Sequence, residues 1–173
     1  LDGPHYAGFL ASRPVEAEAS AIGLVLDEAF RTGGRAHVVH LSDSRAVSML
    51  ESARLHGLDV SVETCPHYLT FDAEHIADGA TELKCCPPIR EAAHREALWA
   101  ALVDGHVDFV VSDHSPCTAA LKQQGGGDFG QAWGGISSVQ LRLPAGWTGA
   151  RARWIPLTDV VPWMATATAD RVG

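Results

Sequence analysis

The feature that most constrains this chain is a repeated cycle, in which a short β-branched run ends on polar residues and is followed by helical periodicity. Ala36-His37-Val38-Val39-His40-Leu41 is the first such run, and Ser42-Asp43-Ser44 behind it are suited to cap a helix by accepting from its free N–H groups. That helix carries Val47, Leu50 and Ala53 on one face and halts at Gly57. Val60-Ser61-Val62-Glu63 alternates like a second strand and breaks at Cys65-Pro66. A third strand is expected around Leu83 to Cys86, stopped by Pro87-Pro88, then a helix holding Ala97, Leu98, Ala101 and Leu102, then a fourth strand over Val107 to Val111. Upstream, Ile22, Val25, Leu26, Ala29 and Phe30 mark an amphipathic helix closed by Gly33-Gly34.

Strands recurring about every 23 to 25 residues with helices between them pair in parallel, because each crossover returns the chain to the same end of the sheet. An α/β fold follows. Beyond Pro116 the pattern lapses into a loop rich in Gly, Gln and Ala, and helical spacing resumes near Ser137 and from Leu157 to Arg171. A net charge of −8 argues against nucleic acid or an anionic membrane as partner. No apolar run approaches the roughly 18 residues of a membrane span. Cys65, Cys85, Cys86 and Cys117 lack the spacing of a disulfide scaffold, which points to a reducing cytoplasm. With Leu1 in place of an initiator methionine, the sequence reads as a piece of a longer protein.

His40, His67, Asp113 and His114 each stand at or just beyond the C-terminal end of an expected strand, where side chains of a parallel sheet or barrel converge. Neutral imidazoles and a carboxylate delivered from successive strand ends suit a catalytic zinc-type ion, and His40, His67 and Asp113 form such a set. A lone histidine is more often a hydrogen-bonded packing residue; three donors at matched strand ends favour the metal.

Four ordered motifs carry a resemblance. His37-Val38-Val39-His40-Leu41-Ser42, Cys65-Pro66-His67-Tyr68-Leu69, Lys84-Cys85-Cys86-Pro87-Pro88-Ile89-Arg90 and Ser112-Asp113-His114-Ser115-Pro116-Cys117 resemble the cyclic amidohydrolases, that is dihydroorotases, hydantoinases and allantoinases. Phe9-Leu10-Ala11-Ser12-Arg13-Pro14 and Ala132-Trp133-Gly134-Gly135-Ile136 look most like the allantoinases of that family. The resemblance implies a TIM barrel with two divalent ions, zinc foremost. Its usual His-x-His and bridging carboxylated lysine are absent: no two of the nine histidines stand two residues apart, and the only lysines are Lys84 and Lys122. A TIM barrel takes about 250 residues. The chain is therefore expected to be a partial barrel, roughly strands 5–8 with their helices, and the carboxylated lysine to lie outside it.

By the same resemblance, His40 and His67 hold one metal, and Asp113 holds the other and shuttles the proton. Cys86 and Gly134 match positions whose backbone holds substrate, and His114 either contacts substrate or hydrogen-bonds beneath the site. Where dihydroorotases carry an asparagine before Pro-Pro and a histidine four residues after the aspartate, this chain has Cys86 and Cys117. That substitution removes groups for a substrate carboxylate and favours the neutral ring of allantoin, opened to allantoate. The alternatives are a dihydropyrimidinase or hydantoinase, a dihydroorotase, or a non-catalytic scaffold relative. A homo-oligomer, a tetramer, is implied. Cys85 reads as a small buried packing residue, Arg90 as a surface ion-pair or helix-start residue, and Trp99, Trp147, Trp154 and Trp163 as core or interface aromatics.

Overall fold

The computed structural model describes residues 3–173. Among them three strands form one parallel sheet in the order β1-β2-β3: β1 (Ala36–Val38), β2 (Val60–Thr64) and β3 (Phe109–Val110). Ala36 pairs with Val60 and Val38 with Val62, while Glu63 pairs with Phe109 and Thr64 with Val110. Side chains alternate along β2, so Val60, Val62 and Thr64 share one face and Ser61 and Glu63 the other. The first face joins the apolar core. On the second, His37 bonds Ser61 Oγ at 2.7 Å and Glu63 Oε2 at 3.0 Å and stacks on Phe109.

Helices α1 (Tyr6–Ala11) and α2 (Val15–Thr32) precede the sheet, and α3 (Val47–Leu55) makes the first crossover. α2 buries Ile22, Leu26 and Ala29 and stops at Gly33, whose φ of 68° a side chain would strain. α3 buries Leu50 and Ala53, as its spacing predicts. The second crossover contains α4 (Pro66–Thr70) and α5 (Ala92–Val103), and α5 buries Leu98, Trp99, Ala101 and Leu102. After β3 come α6 (Ala119–Lys122), α7 (Arg142–Ala152), α8 (Leu157–Met164) and α9 (Thr166–Val172). The helical spacing expected from Leu157 to Arg171 is thus two helices, broken at Ala165 (φ −140°, ψ −75°).

The strand expected over Leu83 to Cys86 does not form. Thr81–Leu83 is instead a turn of 3-10 helix, and the segment behind it is held by single hydrogen bonds: the Lys84 carbonyl accepts from Gly135 N at 2.8 Å and from Lys122 Nζ at 2.9 Å. The physical reason is local. Pro87 and Pro88 have no N–H to give a ladder, and the Lys84 side chain is buried, with Nζ donating to the Ala132 carbonyl at 2.6 Å. Four expected strands become three. Trp99 is a core residue whose indole N–H reaches the Leu69 carbonyl, whereas Trp154 is 95% exposed. No helix of the described residues is long and apolar enough to cross a membrane.

Candidate metal centre

The strands deliver their following residues to one rim. Leu41 N donates to the Glu63 carbonyl at 2.8 Å, Thr64 Oγ1 to the Leu41 carbonyl at 2.8 Å, and Val111 N to the Thr64 carbonyl at 3.0 Å. Leu41, Thr64 and Val111 are therefore level across the sheet, which sets His40, Cys65-Pro66-His67 and Asp113 at the same end of it. Two of these residues leave their strands in the left-handed backbone region, His40 at φ 42° and Asp113 at φ 45°. Residues other than glycine pay for that conformation in strain, and such strain concentrates at functional positions.

Seven of the nine histidines find a side-chain or backbone partner: His5 with Asp78, His37 with Ser61 and Glu63, His56 with the Ser52 carbonyl, His75 with Asp72, His94 with Ser44, His106 with Glu51 and His114 with Ser138 N. The other two are His40 and His67. His67 is 3% exposed, and both its buried ring nitrogens lack a partner among the described residues, as does His40 Nδ1. Burial, and after it the charge of His40, pulls the His67 imidazole down to about 3, so it is neutral with a lone pair available at any working pH. A buried polar atom without a partner costs about 1–3 kcal/mol. Its retention at a strained strand end fits a missing ligand.

The set that closes most tightly is Cys65, His67 and Asp113, whose donor atoms lie within 4.8 Å of one another. Asp113 is exposed, while Cys65 and His67 are buried. Burial first, then the charges of Asp113 and Glu63, push the Cys65 thiol far above its ordinary value. Imidazole nitrogens, a carboxylate and a thiol are the donors a divalent borderline ion such as zinc takes, so these residues fit one. His40 stands outside the 4.8 Å set and lines a cavity of about 560 Å³ with Arg13, Val38, Cys86 and Pro87. Both lysines are engaged elsewhere, Lys84 on the Ala132 carbonyl and Lys122 on the Thr81 and Lys84 carbonyls.

The residues expected around substrate divide. Cys86 is exposed on the cavity wall, its Sγ accepting from Arg13 Nε at 3.1 Å. Gly134 and His114 do not line that cavity. His114 Nδ1 accepts from Ser138 N at 3.0 Å and Val139 N at 3.2 Å, which leaves Nε2 to carry the proton. Gly134 sits beside Gly135, whose φ of 114° and approach to Ser115 admit no side chain: a Cβ there would lie 2.4 Å from Ser115 Oγ. All four cysteines are free.

Three residues escaped sequence reasoning. Cys65 joins the donor set; the signal was a Cys-x-His at a strand end. Arg90 is not a surface residue but 6% exposed, paired with the Glu18 carboxylate at 3.0 Å and bonded to Ser42 Oγ and the Arg13 carbonyl. Glu18 also accepts from Ser42 N at 2.8 Å, Ser42 Oγ at 2.6 Å and Asp43 N at 3.1 Å. Its signal was an acid on the buried stripe of α2, four residues before Ile22 and eight before Leu26. This network ties α2, the turn after His40 and the end of the Pro-Pro segment together, which fixes the wall on which His40 stands.

No family model matches the chain. Individual relatives do. Allantoinase of Streptomyces avermitilis is 57% identical over 171 residues, 99% of this chain and 38% of that protein, and the mitochondrial allantoinase of Aquarana catesbeiana is 48% identical over 172 residues, 99% of this chain and 36% of that protein. Among solved structures, L-hydantoinase (dihydropyrimidinase) from Arthrobacter aurescens superposes with a TM-score of 0.87 at 29% identity, covering 97% of this chain and 38% of that one. The chain thus spans little more than a third of the length of the relatives it matches. Identity this high along 99% of the chain, with the motifs in order on a hydantoinase-like backbone, makes it a member of the cyclic amidohydrolase family, in its allantoinase group.

Proposed function

We propose that the protein carrying this chain hydrolyses the cyclic amide of allantoin to give allantoate, and that the chain supplies the C-terminal portion of its barrel, roughly strands 5–8. The observation that carries the reading is the pair of orphaned histidines at one sheet rim, within a chain 57% identical to an allantoinase. In this reading two divalent ions, zinc foremost, occupy the complete centre, His40 and His67 holding one and Asp113 the other, with the carboxylated lysine supplied from outside the chain. The ions supply carbonyl polarisation and a water acidic enough to attack at neutral pH.

The chain's own residues do the rest. Asp113, exposed at the rim, accepts the proton of the attacking water and hands it to the departing ring nitrogen, base becoming acid within one cycle. His67, neutral through burial, contributes lone pairs without competing for that proton. His114, its Nδ1 fixed by two backbone donors, offers Nε2–H toward substrate oxygen. Backbone groups at Cys86 and Gly134 hold a neutral ring. The cavity at Cys86 and His40 is lined largely by Ala, Ile, Val and Pro side chains; of its two arginines, Arg90 is paired with the Glu18 carboxylate, and Arg13 donates to Cys86 Sγ and Ser12 Oγ. Four free cysteines fit a reducing compartment, and a homo-oligomer completes the reading.

A hydantoinase or dihydropyrimidinase is the second reading, favoured by the 0.87 TM-score to a hydantoinase. Steady-state kinetics on the full-length protein separate them. Allantoin is expected to exceed dihydrouracil, hydantoin and dihydroorotate in kcat/KM, and Asp113→Asn to lower kcat on allantoin by about 10²-fold or more. Equal or reversed kcat/KM values overturn the substrate; an active Asp113→Asn overturns the shuttle.

A further inference from the structure

We propose that Lys84 and Lys122, the only lysines of the chain, are positioning residues that clasp the Cys86 segment to the Gly134 loop and so set the separation of two substrate-holding backbone groups. The inference rests on the reading above, in which backbone groups at Cys86 and Gly134 hold a neutral ring, and adds to it the residues that fix their places. The clasp is reciprocal. Lys84 Nζ donates to the Ala132 carbonyl at 2.6 Å, two residues before Gly134, and Lys122 Nζ donates to the Lys84 carbonyl at 2.9 Å, two residues before Cys86. The same Lys84 carbonyl accepts from Gly135 N at 2.8 Å, next to Gly134. Lys122 is anchored in turn by Thr81: its Nζ donates to the Thr81 carbonyl at 3.1 Å, and its own carbonyl accepts from Thr81 Oγ1 at 2.6 Å. Ser115 N donates to the Ile136 carbonyl at 3.0 Å, which ties the same loop to the residues just after Asp113.

Neither segment belongs to a helix or a strand at the residues that matter, Lys84 to Cys86 and Ala132 to Gly135, so no ladder holds them and their relative place depends on these few bonds. Ammonium-to-carbonyl bonds are charge-assisted and stronger than neutral ones. Lys84 is 8% exposed and Lys122 half-buried, and burial draws the pKa of both below the ordinary lysine value. A methionine would fill the same space without that desolvation. What it would not supply is donors, and Lys122 directs its donors at carbonyls of Thr81 and Lys84 at once. Groups that hold a ligand act only when kept within about 0.5 Å of their working geometry. Slack between the two segments therefore weakens the grip on the ring while leaving the distant proton transfer at Asp113 intact.

Steady-state kinetics of the full-length protein on allantoin separate positioning from mere stability, because a destabilised enzyme loses active molecules and hence kcat, whereas a displaced binding group raises KM. Lys122→Met keeps the length of the side chain and removes its donors. It is expected to raise KM about tenfold with kcat within about threefold of the parent, and Lys122→Arg, which keeps charge and donors, to bring KM back to within about threefold. Should Lys122→Met fail to fold by circular dichroism, Thr81→Val carries the test: it takes only the hydroxyl from the Lys122 carbonyl and is expected to raise KM about threefold. A KM within about twofold of the parent in the folded variant, whatever its kcat, overturns the clasp, as does a Lys122→Arg protein no better than Lys122→Met, and either result leaves the allantoin reading standing. A parent protein without turnover of allantoin overturns that reading and this inference with it.

Discussion

The rim of the sheet and the Glu18–Arg90 cluster lie on either side of the same turn, both place polar side chains in buried surroundings, His67 at the rim and Arg90 in the cluster, and they treat their hydrogen-bonding groups in opposite ways. Around Glu18 the carboxylate receives Ser42 N, Ser42 Oγ, Asp43 N and Arg90, and Arg90 spends its remaining donors on Ser42 and the Arg13 carbonyl. At the rim, His67 has neither nitrogen partnered and His40 leaves Nδ1 bare. A satisfied buried network holds parts of the chain in register and asks for nothing more. An unsatisfied one is a standing cost, and it persists where something outside the chain completes it. The same test sorts the histidines: the two partners of His37, inside β1 opposite Ser61, mark it as part of the sheet.

If that contrast holds, removing one partner of the satisfied cluster has the largest effect. Arg90→Ala strands the Glu18 carboxylate in a buried site and is expected to destabilise the chain by about 3–5 kcal/mol in urea unfolding. A loss below about 1 kcal/mol would mean that the cluster is wetter than its burial indicates.

The rim makes the opposite prediction, and pH exposes it. The His67 pKa is about 3 in the fold against 6.5 unfolded, so the unfolded chain binds the proton more readily and stability is lost as pH falls from 6.5 toward 3, then levels. The loss is roughly 5 kcal/mol, given about 1.4 kcal/mol per pKa unit. His67→Leu removes both orphaned nitrogens; metal-free and at neutral pH it is expected to gain about 1–3 kcal/mol, and the difference between its pH profile and that of the parent isolates the histidine from the carboxylates. Parallel profiles would show that His67 has a partner after all.

The smallest effect sharpens the comparison. Ser42→Ala takes one hydroxyl from the Glu18 cluster and leaves the ion pair, at an expected cost of about 1 kcal/mol by chemical denaturation. A cost equal to that of Arg90→Ala would place the energy of the cluster in the serine and not in the ion pair.

The elements legible in the sequence were those whose cause is local. β1 and β2 follow from β-branched runs with a period of two, α2, α3 and α5 from apolar residues at helical spacing, and their ends from Gly33, Gly57 and the prolines. The Leu83 to Cys86 segment has the same apolar look and is no strand: its Lys84 carbonyl goes to Gly135 N and Lys122 Nζ, 51 and 38 residues away. Nothing within the segment announces those partners.

For the site, the sequence alone determined which residues stand just past each strand, since a parallel sheet sends all such residues to one end: His40, His67 and Asp113 arrive there by connectivity. Which of them meet, and at what cost, only the tertiary structure decided. It brought Cys65 within 4.8 Å of His67 and Asp113, set His40 on the cavity wall beyond them, and turned Arg90 from the surface to Glu18. The reason is physical: periodicity encodes which way a side chain points along its own element, whereas distances between rim residues depend on how elements far apart in the chain pack, and the absence of a partner becomes visible only when every neighbour is in place.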